Sequence, residues 1–274
     1  MGKPAKPISR TEFLLDTFVT VTLYGSKDEA ALDGAIELCR YYDDLLDRHD
    51  PKSMISRLNS AQEPVEIDPG LYNMLETALR LGALSQGRYD ITIAPVMDLW
   101  DFKGDTGKVP SQNALEQALA LVGQENVRLL ENHKVELLEG VQLDLGSIAK
   151  GFIADEMAWY LREQKVPGAI VNLGGNVIAV GKKPGNKPFV IGVQKPFADR
   201  QETVGTLEVT NQSLVSAGLY ERCFTGEDGV LYHHIIDATT GMPAHTGLLS
   251  VSILSSSSTR ADGLSTLCFL LGPE

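Results

Sequence analysis

LDLGSIAKGFIAD, residues 143–155, changes its hydrophobic period partway along. Val141, Leu143 and Leu145 alternate with polar residues, the pattern of a half-buried strand. Ile153, Met157, Tyr160 and Leu161 instead follow the stripe of an amphipathic helix. Gly146 and Ser147 separate the two patterns. The stretch therefore reads as strand, tight turn and helix, with Asp144 at the strand end and Lys150 and Gly151 in the first helical turn.

This junction has two readings. Amides at a helix start lack intrahelical partners and attract anions, and Gly lets a ligand come close to the backbone. Lys150 would add a positive charge, and Asp144 a hydrogen-bond acceptor. The plainer reading is a surface lysine and a capping aspartate. Neither GxxxxGK[ST] nor GxGxxG occurs, so this is not a P-loop or a Rossmann turn.

At 274 residues the chain is long enough for one large domain or two interlocked lobes. Its formal net charge of −12 argues against a nucleic-acid partner. No apolar run is long enough to span a bilayer. The opening MGKPAKPIS has no apolar h-region, and residues 1–12 read as a flexible tail. Cys39, Cys223 and Cys268 are odd in number and lie in apolar patterns, as buried free thiols do.

Outward from the central stretch, Phe13–Tyr24 reads as one strand and Asp28–Leu46 as a helix with Leu32, Ala35, Ile36, Cys39 and Leu46 on one face. MISRLNS reads as a short helix. Asp68 before Pro69 marks a helix start, with Leu71, Leu75, Ala78, Leu79 and Gly82 facing inward. GRYDITIAPVMDLWDF, residues 87–102, reads either as an irregular binding loop or as a packed connector plugged by Trp100 and Phe102. Asn113–Leu121 reads as a short helix, and Val127–Leu145 as two or three strands. AIVNLGGNVIAVG is two β runs around a Gly174-Gly175 turn. LYERCFTGEDGVLYHHIID is a hairpin turning at Gly226–Gly229, LLSVSILS a strand and Thr259–Leu271 a helix.

On that last helix Asp262 and Thr266 are four apart and share a face. A carboxylate and a hydroxyl are hard oxygen ligands that suit Mg²⁺ or Ca²⁺, the former commonly shared with substrate phosphates. Alternatively Asp262 serves a helix start and Thr266 bonds its own backbone. His234 stands where a strand enters an Asp-containing loop, either as a structural imidazole or as a base for a hydroxyl. Absence of CxxC, HExxH and GxSxG weakens zinc and serine hydrolase readings.

Eight blocks in order resemble the ApbE family, the FAD:protein FMN transferases. They are FLLDTFVTVTLYG, SMISRLNS, GRYDITIAPVMDLWDF, LDLGSIAKGFIAD, NLGGN, AGLYERCF, YHHIIDATTGMP and ADGLST, and they cover nearly everything from Phe13 onward. The resemblance implies an α+β fold of mixed, largely antiparallel sheets with packed helices, over residues 13–274, and an FAD cleft between two lobes. It implies Mg²⁺-dependent transfer of FMN from FAD to a Ser or Thr of a partner flavoprotein, with release of AMP. The alternatives are an FAD pyrophosphatase and a non-catalytic FAD carrier. By position, Ser147 (through its carbonyl), Asp262 and Thr266 match metal ligands. Arg88, Tyr89, Asp90, Asp144 and Lys150 match FAD contacts, and His234 matches the base. The family's commonly exported or lipid-anchored state implies a membrane tether before Phe13.

The chain also departs from the pattern. Asp237-Ala238 stands where Asp-Pro is usual, His49 where a Tyr is common, and Leu15 where a Met is common. The chain stops at Glu274, where relatives continue.

Overall fold

Residues 8–24 form a hairpin rather than a single strand. In the computed structural model, which describes residues 6–102, 107–138, 140–199 and 202–273, β1 (Ile8–Leu14) pairs antiparallel with β2 (Thr17–Tyr24). Register runs from Ile8↔Leu23 to Leu14↔Thr17. Leu15 and Asp16 between them have φ of 55° and 57°, the left-handed backbone that a primed two-residue turn requires. This corrects two expectations: Phe13–Tyr24 is not one strand, and β1 starts at Ile8, inside the expected tail. The turn carries no glycine, so the alternation on either side of it looks continuous in the sequence.

The elements then follow in order. They are α1 (Glu29–Leu46), α2 (Met54–Ser60), β3 (Val65–Glu66), α3 (Pro69–Leu84), α4 (Ala94–Met97) and α5 (Gln112–Leu119). Next come β4 (Val127–Leu130), β5 (Lys134–Leu137), α6 (Ala149–Glu163), β6 (Gly168–Leu173), β7 (Asn176–Gly181) and β8 (Phe189–Gln194). The chain continues through β9 (Thr203–Val209), β10 (Ser213–Gly218), β11 (Cys223–Thr225), β12 (Leu231–His233), β13 (Ile236–Asp237), β14 (Met242–Pro243), β15 (Ser250–Ser255) and α7 (Ser258–Leu271). This is an α+β protein whose strand pairs are mostly antiparallel. No helix among the described residues is long and apolar enough to cross a membrane.

Two compact units divide the chain. The first holds the chain up to Leu45, Ile148–Ser216 and Ser252–Ser265. Its frame is a six-stranded sheet in the order β1-β2-β6-β7-β10-β15. Val19, Val21 and Leu23 of β2 alternate into the core with Ala169, Val171 and Leu173 of β6. Gly174 (φ 62°) and Gly175 (φ 104°) make the expected turn between β6 and β7. Helix α6 buries Phe152, Ile153, Met157 and Leu161 and packs on β6 and β7. In α1 the face Leu32, Ala35, Ile36 and Cys39 is buried as expected.

The second unit holds Leu46–Ser147, Ala217–Val251 and the chain from Thr266. Asp68 caps α3 by accepting the amides of Gly70 and Leu71, with Pro69 at the first helical position. Leu71, Leu75, Ala78 and Gly82 of α3 are buried as expected, together with Met74 and Leu81, whereas Leu79 is half-buried. Residues 87–102 form a packed connector around α4. Trp100 lies in a cluster with Val96, Leu115, Tyr232 and Ile236, and its indole Nε1 donates to the Gly241 carbonyl at 3.0 Å. Phe102 stacks on Trp100.

Val141–Leu145 is extended and alternates in burial, yet it is not a strand of any sheet; only Gln142 bridges, to Ile93. Its partners lie elsewhere. The Asn59 side chain donates to the Leu143 carbonyl (3.1 Å) and accepts the Leu143 amide (2.8 Å), and the Asp144 amide donates to the Ile91 carbonyl (2.8 Å). A side-chain amide satisfies the backbone that a neighbouring strand would otherwise pair. Cys39, Cys223 and Cys268 are free thiols; Cys39 is buried and the other two are half-buried.

Candidate functional site

In the first unit the site is built from two helices. Ala149, Lys150 and Gly151 open α6, and its N-cap residue, Ile148, offers no side-chain cap. The cap comes from α7: Asp262 Oδ2 accepts the Gly151 amide at 2.7 Å. One of the amides expected to face an anion is thus already taken by a carboxylate. Asp262 is 6% exposed. Burial pushes its pKa up to about 6, against the opposing pull of Lys150 and of the Gly151 hydrogen bond. Burial outweighs both, so the carboxylate is held there at a cost. A carboxylate oxygen is a hard ligand of the kind that divalent cations such as Mg²⁺ take.

Thr266 lies one helical turn beyond Asp262 on α7 and is half-buried. A carboxylate and a hydroxyl fit Mg²⁺, which keeps several waters and substrate oxygens in its shell. They do not fit a zinc-type site. Among the described residues no group of three His, Cys, Asp or Glu side chains converges as a metal cluster.

The second unit, to which Thr266 belongs, holds the other expected residues. Ser147 Oγ donates to the Tyr89 hydroxyl at 2.9 Å, and Tyr89 is buried. Asp144 Oδ1 accepts the Gly146 amide, which shapes the turn. Its Oδ2 accepts Arg48 Nε at 3.0 Å, while Arg48 Nη2 donates to Asp98 at 2.6 Å. Burial works against the Arg48 charge, but its two carboxylates outweigh this and raise its pKa. Arg48 was not singled out from the sequence, since a lone arginine in the loop after α1 has no local signature.

Arg88, Tyr89 and Asp90 go three ways. Arg88 Nη1 donates to the Leu270 carbonyl, and its Nε lies 3.8 Å from Asp237 Oδ2. Asp90 Oδ1 accepts the Thr92 amide and hydroxyl, and its Oδ2 accepts the Gln124 amide. Burial raises the Asp90 pKa against these hydrogen bonds. Asp90 therefore ties the connector to the turn before β4.

His233 and His234 part company as neighbours in extended chain should. His233 is buried; its Nε2 donates to the Ala244 carbonyl (3.0 Å) and its Nδ1 accepts the Ile235 amide (3.3 Å). His234 Nδ1 lies 3.3 Å from the Arg222 carbonyl, which can only accept. A proton on Nδ1 is the arrangement in which this contact is a hydrogen bond. Ala238 donates its amide to the Arg88 carbonyl at 3.0 Å, an anchor of this loop that a proline there could not make.

The chain is similar to proteins of one family along nearly its whole length. The ApbE family model matches residues 15–274. An FAD:protein FMN transferase of Treponema pallidum is 36% identical, the match covering 97% of this chain and 79% of the relative. One from Klebsiella pneumoniae is 35% identical over 97% of this chain and 83% of its own length. Among solved structures, the ApbE protein of Thermotoga maritima superposes with a TM-score of 0.88 at 31% identity, covering 97% of this chain and 87% of that one. The flavin transferase ApbE from Vibrio cholerae gives 0.86 at 27%, covering 99% and 89%.

Proposed function

Because this chain belongs to the ApbE family, we propose that it is a Mg²⁺-dependent flavin transferase that moves the FMN half of FAD onto a Ser or Thr hydroxyl of an acceptor flavoprotein and releases AMP. The observation that carries the reading is the buried carboxylate of Asp262, one turn from Thr266 and within the field of Lys150. Asp262, Thr266 and the Ser147 carbonyl are the groups that would hold the metal. When bound, Mg²⁺ neutralises the diphosphate and the charge that develops on it.

The remaining chemistry belongs to the chain itself. His234 Nε2 takes the proton of the attacking hydroxyl. The hydroxyl oxygen bonds to the FMN-side phosphorus as the bond from that phosphorus to the bridging oxygen breaks, and AMP departs with that oxygen. Lys150 offsets the negative charge that gathers on the phosphoryl oxygens. Asp144, held by Arg48, and the Arg88–Asp90 segment orient the dinucleotide.

The test is incubation with FAD and Mg²⁺, with and without a protein that one of the named transferases modifies, following AMP and intact protein mass together. Transfer gives AMP and an FMN increment on the acceptor in equal amounts. AMP without an increment would mean a pyrophosphatase, and neither product would mean a carrier.

A further inference from the structure

Helices α6 and α7 cap each other. Asp155, on the second turn of α6, accepts the Ser258 amide at Oδ1 (2.8 Å). Its Oδ2 accepts the Thr259 amide (2.9 Å), the Thr259 hydroxyl (2.7 Å) and the Ser257 hydroxyl (3.0 Å). In the other direction Asp262 of α7 accepts the Gly151 amide in the first turn of α6. The helices touch backbone to side chain at that point: a Cβ on Gly151 would lie 2.3 Å from the Ser258 carbonyl oxygen and 2.6 Å from Asp262 Cβ.

We propose that Asp155 is a positioning residue for the metal site, holding the first turn of α7 against α6 so that Asp262 and Thr266 stand where the ion is bound. This rests on the reading of Asp262 and Thr266 as metal ligands. An N-cap aspartate usually belongs to the helix it caps and fixes only that helix's end. Asp155 belongs to a different helix, so its hydrogen bonds fix the position of α7 along and around α6. The spacing carries that constraint to the ligands. Ser258 and Asp262 are four apart, and Thr259 and Thr266 seven apart, so the anchors and the ligands occupy the same stripe of α7. A second set of contacts holds the same turn: Ser258 Oγ donates to Asn176 Oδ1 and accepts from Ser213 Oγ, each at 2.8 Å. That set survives loss of Asp155, so the variant keeps its fold while its ligands lose their setting.

The experiment uses the full chain without FAD, titrated with MgCl₂. Mg²⁺ affinity is read by calorimetry and melting temperature, and exchange of the Gly151 amide by NMR. Asp155→Asn is expected to weaken Mg²⁺ binding by about tenfold or more, the usual range for residues that orient metal ligands. It should also speed exchange at Gly151. Thr259→Val, which removes one donor to Asp155, should shift both in the same direction by less. Val209→Ala, in the separate cluster with Phe189 and Ala179, should lower the melting temperature and move neither. Wild-type Mg²⁺ affinity and Gly151 protection in Asp155→Asn would overturn the proposal whatever happens to its melting temperature. A wild type that does not respond to Mg²⁺ would overturn the metal reading, and this inference with it.

Discussion

The amide of Gly151 and the carboxylate of Asp262 are joined by a 2.7 Å hydrogen bond that ties the start of α6 to α7. Oδ2 thus caps a helix of which Asp262 is not part, and Oδ1 is the oxygen that the proposed metal site would use. Burial of this carboxylate is costly, and the Lys150 charge and the Gly151 amide offset only part of that cost.

That cost sets the first prediction. The Asp262 pKa is raised from 3.8 to about 6 in the folded chain. A raised pKa means the folded state binds the proton more tightly, so the stability it contributes is complete below about pH 4. That contribution is lost as pH rises through about 6, on the order of 3 kcal/mol for such a shift. Asp262→Asn removes this loss. Its metal-free melting temperature at pH 8 should exceed that of the wild type, by scanning calorimetry. It should not respond to Mg²⁺, which should raise the wild-type melting temperature.

His234 gives the second prediction. Its Nδ1 lies 3.3 Å from the Arg222 carbonyl, and the proposed reaction uses its Nε2 as the base. His234→Ala should keep FAD affinity, read by fluorescence titration, and lose roughly 100- to 10,000-fold in transfer rate. Transfer at the wild-type rate would remove His234 from the reaction.

The neighbouring His233 governs acid stability. Burial lowers its pKa most, His245 lowers it further, and the Ala244 hydrogen bond opposes them. A depressed pKa contributes stability that is present above the unfolded value near 6.5 and lost as pH falls through the folded value. His233→Gln should therefore narrow the gap between melting temperatures measured at pH 7.5 and pH 5.5.

Much of this architecture was legible because the chemistry was local. Asp68-Pro69 announces α3, and Gly174-Gly175 announces the β6–β7 turn. The misreadings share one cause, a partner distant in sequence. Leu143 alternates like a strand residue, but Asn59 pairs its backbone. Leu15 and Asp16 turn left-handed without a glycine, held in part by the Leu15 amide donating to Asp43. In the candidate site, the Asp262–Thr266 spacing and the His233–His234 split follow from helical and strand periods. Arg48 and Asp155 could not be singled out, because what they do is defined by partners about a hundred residues away.

Asn59 supplies a further test. It makes two hydrogen bonds to the Leu143 backbone. Asn59→Ala leaves both backbone groups without that partner and should cost about 1–3 kcal/mol in urea unfolding. An unchanged midpoint would show that Leu143 finds another partner.

Gly151→Ala probes the helix contact itself. The added methyl meets backbone rather than a flexible side chain, so α7 must shift. Overpacking of this kind costs about 1–3 kcal/mol. Both the melting temperature and Mg²⁺ affinity should fall.

The account depends most on a cation held by Asp262 making the FAD diphosphate cleavable. The direct measurement is AMP release from FAD by wild type and Asp262→Asn, in Mg²⁺ and in excess EDTA, with an acceptor protein present. The account predicts AMP only from wild type with Mg²⁺, matched by FMN on the acceptor. AMP formed at the same rate in EDTA, or by Asp262→Asn, would contradict it.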